Sequence, residues 1–117
     1  MKKRFKVYLD TSVISALFDD KNPERKSLTS TFFKEMEIFE PYISEVVVME
    51  IEKTPDTELQ NRMKDISSRI SVLDLTDDVE WLANEYMRYG AVPDGYQEDV
   101  YHIAIAVVNQ MDYLLSW

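Results

Sequence analysis

Phe5-Lys6-Val7-Tyr8-Leu9 runs straight into Asp10-Thr11-Ser12, and Val13-Ile14-Ser15-Ala16-Leu17-Phe18 follows with helix-like spacing. This junction constrains the fold more than any other stretch. Alternating apolar residues leading into a carboxylate predict a strand that delivers an acid to the carboxyl end of a sheet, where open α/β folds build their sites. An acid there, with two hydroxyls behind it at a helix start, suits a metal or a phosphate. The alternative is local, because Asp, Thr and Ser all cap helices and Asp10 can serve that purpose alone.

The remaining chain repeats the alternation. A strand is expected from Lys6 to Asp10 and a short helix from Thr11 to Phe18. A polar loop Asp19 to Pro23 follows, then a helix reaching Glu37 with Leu28, Phe32, Phe33 and Met36 at helical spacing. Phe39 to Ser44 reads as a strand, with Pro41 suiting its beginning or an edge position. Ser44 is placed to cap a helix Glu45 to Lys53, which stops before Pro55. Asp56 to Ser68 is a helix with Leu59, Met63 and Ile66 on one side, and Ile70 to Leu75 a strand. Thr76 or Asp77 caps the helix carrying Val79, Leu82, Ala83, Tyr86 and Met87, which Gly90 ends. After a loop at Pro93 to Gly95, a helix from Gln97 to Gln110 leads into a strand Tyr113 to Trp117. Strands separated by helices predict an α/β fold with a parallel sheet covered on both faces.

Three acids break the pattern around them. Asp10 ends the first strand. Glu50 follows Val46 and Val47 by one helical turn, which places its carboxylate near the apolar side, where an unpaired charge is expensive. Asp99 opens the last helix and shares a side with Ile103 and Ala106, so it is expected to point inward. Two or three carboxylates converging at one sheet edge, with no His or Cys expected nearby, favour a hard cation, Mg²⁺ or Mn²⁺. With no cation they repel one another and should hold raised pKa values. Against this, Glu50 can snorkel or pair with a Lys, and Asp99 can be a favourable first-turn acid.

Val7 to Ile14, Ser44 to Ile51 and Glu98 to Ala106, with Asp112-Tyr113-Leu114-Leu115-Ser116-Trp117 at the end, resemble the PIN domain in the same order. The likeness is to VapC-type toxins of toxin–antitoxin pairs, and it covers essentially the whole chain. It implies a single PIN-like domain over residues 1–117, three-layered, with a central parallel sheet of about four strands flanked by helices. It implies a metal-dependent endoribonuclease that hydrolyses RNA phosphodiester bonds with Mg²⁺ or Mn²⁺. Asp10, Glu50 and Asp99 match the acidic, metal-binding and catalytic positions. Ser12 matches the hydroxyl beside the first acid, and Ser116 the hydroxyl at the end of the last strand. RNA as substrate, an antitoxin protein as partner and a homodimer belong to the same implication. The family pattern continues past Trp117 with another acid or amide, so the expectation is a domain lacking its C-terminal end. A catalytically depleted PIN-like interaction module is the alternative reading. Asp112 aligns with the wrong end of the last strand to substitute.

The charge runs against a nucleic-acid footprint: 22 acids and 13 bases give a formal net charge of −9. Four of the bases are Lys2, Lys3, Arg4 and Lys6, so the remainder is more acidic still. Solvated helix faces account for most of the acids, Glu45 and Glu52 among them. The absence of Cys excludes disulfides and thiolate sites, and no apolar run reaches transmembrane length, so a cytoplasmic chain without a membrane role is expected. His102, one turn after Asp99, reads as a satisfied structural residue more readily than a catalytic one. Tyr86, Tyr89, Tyr96 and Tyr101 read as packing or dimer surface, although tyrosines also stack on bases.

Overall fold

In the computed structural model, which describes residues 4–90, 93 and 95–117, β1 (Phe5–Leu9) lies inside a four-stranded sheet. Val7, Tyr8 and Leu9 are all buried, because an inner parallel strand is covered on both faces and needs apolar side chains on each. Lys2 and Lys3 of the basic N-terminal cluster and Asp94 of the expected loop lie outside the described residues.

After β1 come α1 (Thr11–Ala16) and α2 (Pro23–Lys34). A 3₁₀ turn, Met36–Ile38, then leads into β2 (Phe39–Ser44). The expected helix to Glu37 therefore stops early, where Glu35 leaves helical geometry. Leu28 is exposed rather than part of the apolar side. Next are α3 (Glu45–Glu52), α4 (Thr57–Ser67) and β3 (Ser71–Leu73). The chain closes with α5 (Asp77–Arg88), α6 (Gln97–Val108) and β4 (Tyr113–Leu115).

All pairings are parallel and the strand order is β3-β2-β1-β4. The chain thus moves outward from β1 through β2 to β3, then returns across to β4. The direction of winding reverses beside β1, and the crevice outside the strand ends at such a reversal is where α/β sheets bind ligands. Pro41 sits in an inner strand, not at an edge. It is tolerated because β3 joins β2 only from Tyr42 onward, so beside Pro41 that flank of β2 is still unpaired.

The core gathers Val7, Tyr8, Leu9, Ile14, Ile43, Val47, Ile51, Val79, Val100 and Ile105 from the sheet and helices. Asp112 ties the starts of β1 and β4: its carboxylate accepts from the Lys6 N–H (2.9 Å) and its own N–H donates to the Lys6 carbonyl (2.9 Å). This fixes it at the opposite end of the sheet from Asp10. Among the described residues no helix is long and apolar enough to cross a membrane.

Candidate active site

Asp10 leaves β1 in extended conformation and caps α1, its Oδ1 accepting from the Ser12 N–H (3.0 Å) and the Ser12 hydroxyl. It is buried, with 7% of its surface exposed, although no cation pairs with it among the described residues. The capping role is real and is combined with burial at the carboxyl end of the sheet. Ser12 also accepts from the Trp117 N–H (2.9 Å), so the first acid, its hydroxyl neighbour and the chain beyond β4 form one edge. Ser116 is exposed on that edge.

Glu50 reaches the same region from α3. The Thr11 hydroxyl donates to its Oε1 (2.9 Å), which joins the residue after Asp10 to the second acid. The same oxygen meets His102 Nε2 at 2.8 Å. Behind His102, its Nδ1 lies 2.6 Å from the Tyr8 hydroxyl, which in turn lies 2.7 Å from Ser44 Oγ. A carboxylate only accepts, so Nε2 is the donor. In the neutral ring Nδ1 then accepts from Tyr8, and Tyr8 accepts from Ser44. Ser44 completes the series by capping α3 through the Val47 N–H (3.4 Å). A buried polar chain thus runs from a helix cap on β2, across β1, to the carboxylate on α3.

The electrostatics follow the geometry. Burial pushes the Tyr8 phenol well up, only partly offset by Ser44, with the Asp10 and Glu50 charges adding to the rise. A neutral O–H is what the chain requires. Burial also works to raise Glu50, but hydrogen bonds from His102 and Thr11 and the nearby imidazole outweigh it, and its pKa lies below the ordinary value. Glu98 at the start of α6 shows the opposite shift: its hydrogen bond to Glu50 and the Glu50 charge raise it. The expected rise for clustered carboxylates therefore falls on Glu98, not Glu50, because His102 and Thr11 stabilise the Glu50 anion.

Asp99 is exposed, not inward-pointing as its spacing suggested. The buried side of α6 carries Val100, His102, Ala104, Ile105 and Ala106, which leaves Asp99 exposed, while its neighbour Glu98 hydrogen-bonds to Glu50. Among the described residues no three His, Asp or Glu side chains are arranged to share one ion. Asp10 and Glu50 nevertheless offer the oxygen donors a hard cation uses, and Mg²⁺ binds through one or two carboxylates with waters completing its shell.

His102 thus stands at the site as a satisfied residue, hydrogen-bonded to both Tyr8 and Glu50. Thr11 was signalled only as one of two hydroxyls behind Asp10, and Tyr8 and Glu98 gave no separate signal. The nearest available clue was spacing, since Glu98 lies one turn before His102 on the same face. Glu45, expected to be solvated, is exposed but holds the Leu75 N–H (2.6 Å).

A model of the PIN domain matches residues 7–116, and the chain belongs to that family. Solved structures of VapC toxins share its fold. VapC20 of Mycobacterium tuberculosis, a toxin that cleaves the sarcin–ricin loop, superposes with a TM-score of 0.77 at 16% identity, over 95% of this chain and 88% of that one. VapBC2 from Rickettsia felis, bound to a DNA fragment from its promoter, gives 0.64 at 15% identity, over 95% and 87%. No curated protein matches the chain.

Proposed function

We propose that this PIN domain is a metal-dependent endoribonuclease of the toxin–antitoxin type. The observation that carries the reading is Asp10, buried at the carboxyl end of β1 without a cationic partner among the described residues and joined through Thr11 to Glu50. A buried carboxylate without a counter-charge is costly and is retained where a ligand supplies that charge. Asp10 and Glu50 would hold Mg²⁺ or Mn²⁺, with Asp99 entering from the rim through water. When bound, the ion lowers the pKa of a coordinated water and offsets charge on the reacting phosphate.

The chain's own groups prepare this site. Ser12 orients Asp10, with Ser116 beside it on the same edge. Thr11 and His102 hold Glu50 ionised and fix one of its two oxygens. Tyr8 and Ser44 hold the imidazole in turn. The likeness to VapC toxins supports RNA as substrate, an antitoxin as partner and a paired assembly, and a cytoplasmic location suits that role.

The test is cleavage of single-stranded RNA with Mn²⁺ or Mg²⁺ by the wild-type chain and by Asp10→Asn. Cleavage that disappears in the variant and in chelator supports the reading. Equal cleavage by both proteins refutes it. An inert wild type that still binds an antitoxin-like partner would favour the interaction module.

A further inference from the structure

The residues around Trp117 form a cavity that the proposed chemistry does not use. It measures about 520 Å³ and is lined by Lys21, Asn22, Pro23, Glu24, Arg25, Leu28 and Trp117. Three observations distinguish it. The Arg25 guanidinium lies 5.0 Å from the Trp117 ring centroid, and the indole N–H donates to Thr29 Oγ1 (3.0 Å), which fixes the ring's orientation. Trp117 remains half exposed even so. Its backbone N–H is bonded to Ser12, whose hydroxyl is bonded to Asp10, so the cavity adjoins the first acid.

Two of the lining residues are cations, in a chain of net charge −9. Lys26, Arg62, Arg69 and Arg88 are each matched by an acid, Asp20, Glu58, Asp65 and Glu85 in turn. Arg25 instead lies on an aromatic face, and Lys21 makes no side-chain ion pair among the described residues. An oriented, half-exposed indole with a guanidinium against it and a second cation on the rim combines stacking and phosphate attraction.

Resting on the ribonuclease reading, we propose that this cavity is a nucleotide subsite for single-stranded RNA. One base stacks on the Trp117–Arg25 pair, and Lys21 and Arg25 meet the flanking phosphate. Glu24 on the same rim repels phosphate and accepts hydrogen bonds, so it favours a base presenting an amino or imino N–H. The subsite would hold a nucleotide adjacent to the bond presented to Asp10, and would give an acidic protein a local means of holding a polyanion.

The experiment measures anisotropy of a labelled ten-nucleotide single-stranded RNA in chelator, where binding is read without cleavage. Trp117→Ala is expected to weaken binding at least about five-fold, while Trp117→Phe, which keeps a stacking face, retains most of it. Arg25→Met should weaken binding and lower the steepness of its salt dependence by about 0.7, the contribution of one phosphate contact on a single strand. Thermal melts of each variant identify any loss caused by unfolding, with Lys21→Met as a second probe away from the packed ring. Unchanged affinity in folded Trp117→Ala and Lys21→Met would overturn the subsite. Asp10-dependent cleavage in that case would leave the ribonuclease reading standing. Equal affinity for duplex and single-stranded RNA would also overturn it, because a paired base cannot stack there. Binding of an acidic peptide with undiminished strength in competition with the RNA would reassign the cavity to a protein partner.

Discussion

At the residue scale the Ser44–Tyr8–His102–Glu50 chain is the unit that fixes the site. Each member satisfies the next, and removing one leaves a buried polar atom without a partner. Tyr8→Phe should cost about 1–3 kcal/mol, since it strands both the imidazole Nδ1 and Ser44. His102→Ala should cost about 2–4 kcal/mol, adding a cavity beneath Glu50. Urea denaturation reads both, and losses below about 0.5 kcal/mol would show that the chain contributes nothing to stability.

The two shifted carboxyls give opposite pH signs. Glu50 stays ionised in the native state at pH values where the unfolded chain takes up a proton. Its contribution is therefore complete above the unfolded pKa near 4.5 and is lost as pH falls through its lower native value. Glu98, raised by Glu50, contributes below the unfolded value near 4.5, and that contribution is lost as pH rises through its higher native value. Glu50→Gln should flatten the acid limb of stability against pH below 4.5. Glu98→Gln should shift stability upward at neutral pH, by the few tenths of a kcal/mol typical of an exposed like-charge contact. Chemical denaturation from pH 3 to 8 separates them, and a steeper acid limb in Glu50→Gln would contradict the assignment.

At the element scale, much was legible in the sequence because local chemistry and the final fold agree. Ser44, Asp56 and Thr76 cap α3, α4 and α5 through hydrogen bonds to Val47, Leu59 and Val79. Gly90 ends α5 at φ +66°, as its place after Arg88 suggests. Less legible was the end of α6, where Gln110 takes φ +54° without being glycine. The Met111 N–H returns to the Ala106 carbonyl and the Gln110 N–H to Val107, so two otherwise unpaired carbonyls repay the strain. Gln110→Gly should then stabilise the protein by up to about 1 kcal/mol, relief of the left-handed conformation exceeding the added chain entropy. A lower melting temperature in that variant would mean the Gln110 side chain makes a contact that outweighs its backbone strain. The inward face of α6 is also poorly encoded. Asp99 shares a side with Ile103 and Ala106, but the fully buried positions are Val100, Ala104 and Ile105, and a rotation of one residue exchanges Asp99 for Glu98.

At the scale of the whole molecule, the order β3-β2-β1-β4 brings Asp10 to the reversal point while α3 and α6 carry Glu50 and Glu98 toward it. Strand and helix alternation made a parallel sheet readable, but which acids touch depends on helix rotation and on hydrogen bonds between distant segments, which no local pattern encodes. The site acids are therefore best apportioned by their separate effects on cation binding. A cation ten-fold above its dissociation constant stabilises the native state by about 1.4 kcal/mol, a rise of about 5 °C in Tm for a domain of this size. We expect Mn²⁺ to give such a rise in the wild-type chain and none in Asp10→Asn or Glu50→Gln. Asp99→Asn, altering an acid at the rim, should keep a reduced rise, because waters can replace a distant carboxylate around the ion. Without cation, Asp10→Asn should melt within about 1 kcal/mol of wild type, since Asn still caps α1 and the buried charge is gone. If Asp99→Asn abolishes the Mn²⁺ effect as completely as Asp10→Asn, α6 must turn Asp99 inward when the cation binds. If all three variants keep the full rise, the cation binds elsewhere, and the Asp10–Glu50 pair is a structural junction between β1 and α3.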